Sequence, residues 1–303
     1  MGPEPSDLAI EAALQAERQF VLTLGGFALE VAGAALVTHE KIPAPRFNFV
    51  QELGVGRERQ TAFFERALDH YFQRALRPTF RVPVPPTSHV DQGLRRLGFV
   101  PRTGPLVLLL EQDPAPPPAL DGPTVREASP GELDQVASFW TDERERPELR
   151  TAVDVAWHHP NPHEQLVPLV ASIDDVPVAA ALVYRFRGAA GVHFVATRPS
   201  ARGRGAASAV VAYALRERPV GRAAFLSMFA DSPRLEARLI RLGFVPARTF
   251  VEYELPRTAE LALPSPGPPT PPRWRPPRGS GAPAGRGEEP SAPRPEGRGP
   301  TAT

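Results

Sequence analysis

Gly191-Val-His-Phe-Val-Ala-Thr-Arg-Pro-Ser-Ala-Arg202-Gly-Arg-Gly-Ala-Ala207 runs directly into the apolar-periodic segment Ser208–Arg218. Val192 to Thr197 carries the β-branched and aromatic side chains of a strand, and Pro199 interrupts it. Val210, Val211, Ala214 and Leu215 then recur at helical spacing, so the stretch reads strand, glycine loop, helix. The first turn of a helix has amides without intrahelical partners and the positive end of the macrodipole, an arrangement that favours an anion. Gly203, Gly205, Ala206 and Ala207 let such a group approach the backbone, and Arg202 and Arg204 add two cations. There is no G-x-G-x-x-G and no G-x-x-x-x-G-K-[ST], which removes the dinucleotide fingerprint and the P-loop.

The loop resembles the acyl-coenzyme A loop of the GNAT superfamily of N-acyltransferases, whose pattern R/Q-x-x-G-x-G/A is met by Arg202-Gly-Arg-Gly205-Ala-Ala207. Thr197-Arg-Pro199 supplies the family's "V/T-x-P" step, and Leu242-Gly-Phe244 follows some 40 residues later. The resemblance runs from about Thr124 to Leu255. It implies acetyl-CoA as acyl donor, held by Val195, Ala196, Thr197, Arg202, Gly203, Arg204, Gly205, Ala206 and Ala207. It further implies that pantetheine pairs with Val195–Thr197, that the Val195 amide faces the developing oxyanion, and that an amine attacks the thioester directly in a ternary complex.

The chain also resembles itself at an offset of about 145 residues. Leu94-Arg-Arg-Leu-Gly-Phe-Val-Pro101 returns as Leu239-Ile-Arg-Leu-Gly-Phe-Val-Pro246, Asn48-Phe49-Val50 lies on His193-Phe194-Val195, and Arg77-Pro-Thr-Phe80 on Arg222-Ala-Ala-Phe225. In that register the first loop is Gly56-Arg-Glu-Arg-Gln-Thr-Ala62, with Glu58 and Gln60 in place of both glycines. Side chains there block close backbone approach, and a carboxylate repels a pyrophosphate. The expectation is an α/β (α+β) chain of two GNAT-like domains, each a mixed, mostly antiparallel sheet flanked by helices. The boundaries are 1–113 for a degenerate copy, 114–122 for a linker and 123–257 for the acetyltransferase copy. A Pro/Arg/Gly-rich tail over 262–303, nearly free of aliphatic residues, is expected to be disordered.

The 303 residues leave room for two cores, and a formal charge of +1 gives no argument for nucleic acid. With no cysteine there is neither a disulfide framework nor a thiolate site. No apolar stretch approaches the ~18 residues of a membrane span, and Met-Gly-Pro-Glu-Pro-Ser-Asp lacks a leader pattern, so a cytoplasmic protein, monomer or homodimer, is expected.

Among candidate catalytic groups, alternation puts His193 on the side of Val195 and Thr197, as a possible base. Glu143 and Glu145, within the charge run Asp142-Glu-Arg-Glu-Arg, are weaker candidates. The resemblance places the family's usual acid, a Tyr, at Leu239, which cannot donate a proton; Ser232, Tyr253 or water would have to substitute. His158, His159 and His163 are interrupted by Pro160 and Pro162, so no helical metal pair forms and no metal is expected. The resemblance implies acetyl transfer to a primary amine, and the acceptor, unidentified, is expected to be small and polar. The competing reading is a non-catalytic acyl-CoA sensor or partner-binding scaffold.

Overall fold

The computed structural model describes residues 7–51, 53–110, 122–139, 146–158, 164–186, 189–216, 225–230 and 233–256. The linker and tail expectations fall largely or wholly outside them. The chain opens with α1 (Asp7–Thr23), then β1 (Phe27–Val31), β2 (Ala34–Thr38), β3 (Phe49–Gln51), α2 (Gln60–Phe72), β4 (Thr79–Pro83), α3 (Ser88–Arg96) and β5 (Val100–Leu110). The second half adds β6 (Thr124–Glu127), α4 (Leu133–Ala137), α5 (Arg146–His158), β7 (Glu164–Ile173), β8 (Val176–Phe186) and β9 (Ala189–Thr197). It closes with α6 (Ala206–Arg216), β10 (Phe225–Ala230), α7 (Pro233–Arg241) and β11 (Val245–Glu254). A two-residue hairpin at Asp174-Asp175 joins β7 to β8, both residues adopting positive φ (51° and 60°).

The repeat in the sequence is a repeat of elements. The starts of α6 and β10 follow those of α2 and β4 by 146 residues, and α7 and β11 follow α3 and β5 by 145. The two mostly antiparallel sheets run together as one, in the order β1-β2-β3-β4-β11-β5-β10-β9-β8-β7-β6. Among the described residues only β3–β4 and β9–β10 pair parallel. At the centre the last strands of the halves are exchanged: β11 pairs with β4, β5 pairs with β10, and the two exchanged strands pair antiparallel with each other. Both begin several residues before the strand pattern Leu106–Glu111 or Phe250–Leu255 suggests, because Pro101, Gly104, Pro105 and Pro246 read as breakers.

Alternation along the strands divides the core between the two faces of the sheet. One face carries a continuous cluster from Ile10, Leu14 and Phe20 of α1 through Phe49 and Val107 to Leu166, Leu182 and Tyr184. The other carries two clusters, Val183, Val192, Val210 and Leu239 under α6 and α7, and Leu36, Phe64, Phe80 and Tyr253 under α2 and α3. The first helix thus belongs to the N-terminal half in sequence, yet it lies across β8, β9 and β10 of the other half. Among the described residues, no helix is long and apolar enough to cross a membrane.

Candidate functional site

After β9, a 3₁₀ turn at Pro199–Ala201 leads into Arg202-Gly203-Arg204-Gly205 and the start of α6. Gly203 and Gly205 take φ of 84° and 83°, where a side chain is strained although a Cβ at either position would meet nothing within 4 Å. These positive φ values hold the loop open instead of letting it wind into the helix. Among the described residues the amides of Gly203 and Gly205 donate to no backbone carbonyl, and the first-turn amides of α6 lie just beyond.

These groups border a cavity of about 1130 Å³ lined by Val195, Ala196, Thr197, Arg202, Gly203, Gly205, Ala206 and Ala207. Eight of the nine residues expected to hold the donor therefore meet there. Arg204 does not line it; its guanidinium lies 4.0 Å from Asp174 Oδ2. The structure adds Arg234, Arg238 and Arg241 of α7 to the wall. Their spacing of four and three residues puts them on one helix face, a signal present in Pro233-Arg-Leu-Glu-Ala-Arg-Leu-Ile-Arg241 but unused in the sequence reading. Arg198, Arg202, Arg234, Arg238 and Arg241 all line the cavity and have no carboxylate partner among the described residues, so its wall is strongly cationic there.

Where β9 passes this cavity it is bulged. The ladder to β8 runs from Leu182↔His193 to Ala180↔Ala196, three residues against two, and Phe194 takes φ 54°. On its other side β9 pairs with β10 only over Ala189–Gly191, so the strands part before the bulge. A second bulge faces it: β5 spends three residues, Thr103 to Leu106, where β11 spends two, Val251 to Thr249. Between them opens a second cavity of about 400 Å³, whose walls include Glu17, Phe20, Phe47, Arg81, Gly104, Pro105, His193, Phe194 and Glu252. Val195, Ala196 and Leu235 line both cavities, which therefore meet at the bulge.

The bulge corrects the parity expected for His193. Val195 packs in the cluster under α6 and α7, whereas His193 stacks on Phe20 of α1 at a ring-centroid distance of 4.0 Å, on the opposite face. Its Nε2 is buried without a hydrogen-bond partner among the described residues and lies over Gly191, where a Cβ would meet it at 2.6 Å. Burial, helped by the Arg46 charge, lowers its pKa to about 3, so the ring is neutral. Tyr253 is the other correction. Strand exchange carries it into the N-terminal core, fully buried beside Phe80, where its hydroxyl donates to Asp91 Oδ1 at 2.6 Å. Burial and that bond push its pKa up to about 12. Leu239 is 1% exposed and packs in the core under α7. Glu143, Glu145 and Ser232 lie outside the described residues, as do His159 and His163. Among the described residues no three metal-ligating side chains cluster.

At the far end of the second cavity Arg81 bridges two carboxylates, donating from Nη1 to Glu17 Oε1 at 2.7 Å and from Nε to Glu252 Oε1 at 2.9 Å. Burial pushes the Glu17 carboxyl up against the pull of Arg81, and its Oε2 is buried without a partner among the described residues. Nothing in the sequence of α1 separates Glu17 and Phe20 from the polar and apolar positions of an ordinary amphipathic helix.

Residues 124–219 match the family described as acetyltransferase (GNAT) domain. Over this segment the chain is similar to the GNAT superfamily. In fold it is similar to a GCN5-related N-acetyltransferase from Kribbella flavida, at 20% identity over 83% of this chain and 97% of that one, with a TM-score of 0.60. A GCN5-related N-acetyltransferase from Sphaerobacter thermophilus gives 17% identity over 74% and 77%, TM-score 0.52. A tandem GNAT protein from the clavulanic acid biosynthesis pathway gives 15% over 70% and 76%, TM-score 0.50. No curated protein matches the chain in sequence. A match to a GNAT acetyltransferase domain supports acyl transfer in general.

Proposed function

We propose that the protein moves an acetyl group from acetyl-CoA to a primary amine within a ternary complex, and that it is a tandem GNAT protein whose donor site is formed only by the C-terminal copy. The observation that carries this is the meeting of two cavities at Val195–Ala196, one rimmed by helix-terminal amides and arginines, the other by aromatic and acidic side chains. The first suits the phosphates and pantetheine of a coenzyme A thioester; the second suits an acceptor. Attack by the amine nitrogen on the thioester carbonyl forms the C–N bond and breaks the C–S bond, with the thiolate leaving into the first cavity. The amine sheds its proton to water, and His193, neutral and with so low a pKa, contributes little driving force as the base expected from sequence. Buried, apolar Leu239 favours the second reading, an acyl-CoA sensor without turnover, because it leaves the leaving thiolate without a protein acid.

Titration with acetyl-CoA followed by assay of free thiol over a panel of amines separates the two. One binding site per chain with amine-dependent thiol is expected. Binding without thiol establishes the sensor, and no binding removes both readings.

A further inference from the structure

The first cavity carries more positive charge than one phosphate site uses. Its loop already offers the amides of Gly203 and Gly205, the first-turn amides of α6 and the Arg202 guanidinium. On the same wall α7 adds Arg234, Arg238 and Arg241, spread over about 10 Å of helix axis. All three are exposed, and their spacings of four and three residues set like charges side by side, an arrangement that destabilises a helix. Glu236, the one acid of α7, forms no ion pair with them. The N-terminal copy shows that the fold does not require them. There α3, 145 residues earlier, has His89 and Gly93 at the positions of Arg234 and Arg238, with Arg96 alone kept at that of Arg241. Position along the cavity separates the three cations. Leu235 lines both cavities, so the start of α7 stands at the thioester end, and Arg241 lies about 9 Å of helix beyond it. The pantetheine chain between thioester and pyrophosphate is uncharged and calls for no cation. Coenzyme A does carry a second, separate phosphate, the monoester on its ribose 3′ oxygen.

Resting on the donor reading above, we propose that Arg238 and Arg241 bind the 3′-phosphate of coenzyme A while the loop from Arg202 to Ala207 binds its pyrophosphate. The cavity then selects coenzyme A over pantetheine-based thioesters that lack this phosphate. A phosphate monoester at neutral pH carries about two negative charges, which two guanidiniums match, each with a planar fork of donors suited to its oxygens. Binding also relieves the repulsion between the two arginines. The pair acts on donor selection and touches no reacting atom.

The test titrates coenzyme A and 3′-dephospho-coenzyme A separately into the full-length protein, by calorimetry at one fixed, low ionic strength. Charge-assisted hydrogen bonds to the extra phosphate should make coenzyme A bind about tenfold more tightly or better. Equal affinities, or tighter binding of the dephospho form, overturn the proposal and leave the donor reading standing; binding of neither ligand overturns both. This comparison needs no variant. The double variant Arg238→Gln, Arg241→Gln, which changes two exposed positions, should then bind coenzyme A as weakly as the parent binds the dephospho form. Its affinity for the dephospho form should fall by at most about twofold, the share of the general field of the cleft. An equal loss for both ligands would put these arginines on the pyrophosphate and overturn the assignment, as would a preference for coenzyme A that survives in the variant.

Discussion

The two halves of this chain place a strand, a loop and a helix at the same points of one sheet, and only one of the loops is open. In the C-terminal half the chain passes from the 3₁₀ turn at Pro199–Ala201 through two positive-φ glycines before α6 begins at Ala206. In the N-terminal half the 3₁₀ turn Arg57–Arg59 abuts α2 at Gln60, so the helix is wound back over the positions where the glycines would be. The space beyond is filled as well. Gln60 Nε2 donates to His89 O of α3 at 2.6 Å and sits against Gly93, while the Glu58 carboxylate folds back over Gly56. At the matching positions of α7 stand Arg234 and Arg238, facing a cavity of about 1130 Å³. The same scaffold is thus a polar plug in one half and a cationic cleft in the other, and the choice rests on about four residues.

The exchange of β5 and β11 is where the comparison can be broken most severely. If each half were self-contained, residues 114–257 alone would fold. In the full chain β10 is flanked by β5 on one side, and α1 covers β8 and β9. The isolated segment loses both, exposing a strand edge and the apolar face that Leu14, Phe20 and Val21 cover. It should show no cooperative thermal transition by circular dichroism, whereas the full chain melts cooperatively; a cooperative melt of the segment would show that the exchange is dispensable.

The next effect is on the open loop. Gly205→Glu puts a side chain at φ 83° and a carboxylate beside the amides at the start of α6. Loss of the anion site and repulsion of the phosphates should weaken acetyl-CoA binding on the order of a hundredfold by calorimetry. The loop is exposed, so the melting temperature should fall by only about 2–4 °C, the size of a 1 kcal/mol change. Undiminished affinity would remove the loop from the donor site.

Much of this was legible in the sequence because it is local. The strand, glycine loop and helix around Arg202–Ala207 and the hairpin at Asp174-Asp175 depend on residues within one turn of each other, and the offset of about 145 residues survives in the element starts. The exchange of β5 and β11 was not legible, since alternation says which face a residue takes and nothing about which strand lies alongside. That is why Tyr253 packs beside Phe80 and bonds Asp91, while its neighbour Glu252 faces the second cavity. The side of His193 failed for a smaller reason: one extra residue at Phe194–Val195 reverses parity, and no residue type there announces a bulge. Glu17, Phe20 and Arg81 were missed because a cavity wall built by both halves of the chain is a property of packing, with no motif of its own.

The smallest effect sharpens the comparison from the closed side. Gln60→Ala removes the bond to His89 O and leaves Gly93 without the side chain that fills the gap between α2 and α3. The lost hydrogen bond should lower stability by about 1 kcal/mol, a fall of about 2–4 °C in Tm. Clearing the plug does not restore a donor site, however, because His89 and Gly93 still stand where α7 presents Arg234 and Arg238, and Arg57–Arg59 remains wound into the helix start. Titration of the variant with acetyl-CoA should therefore give the same single-site stoichiometry as the parent. A second site appearing on removal of one side chain would mean that the two loops differ only in what fills them, and that the positive-φ glycines and the α7 arginines are not what makes the C-terminal loop a donor site.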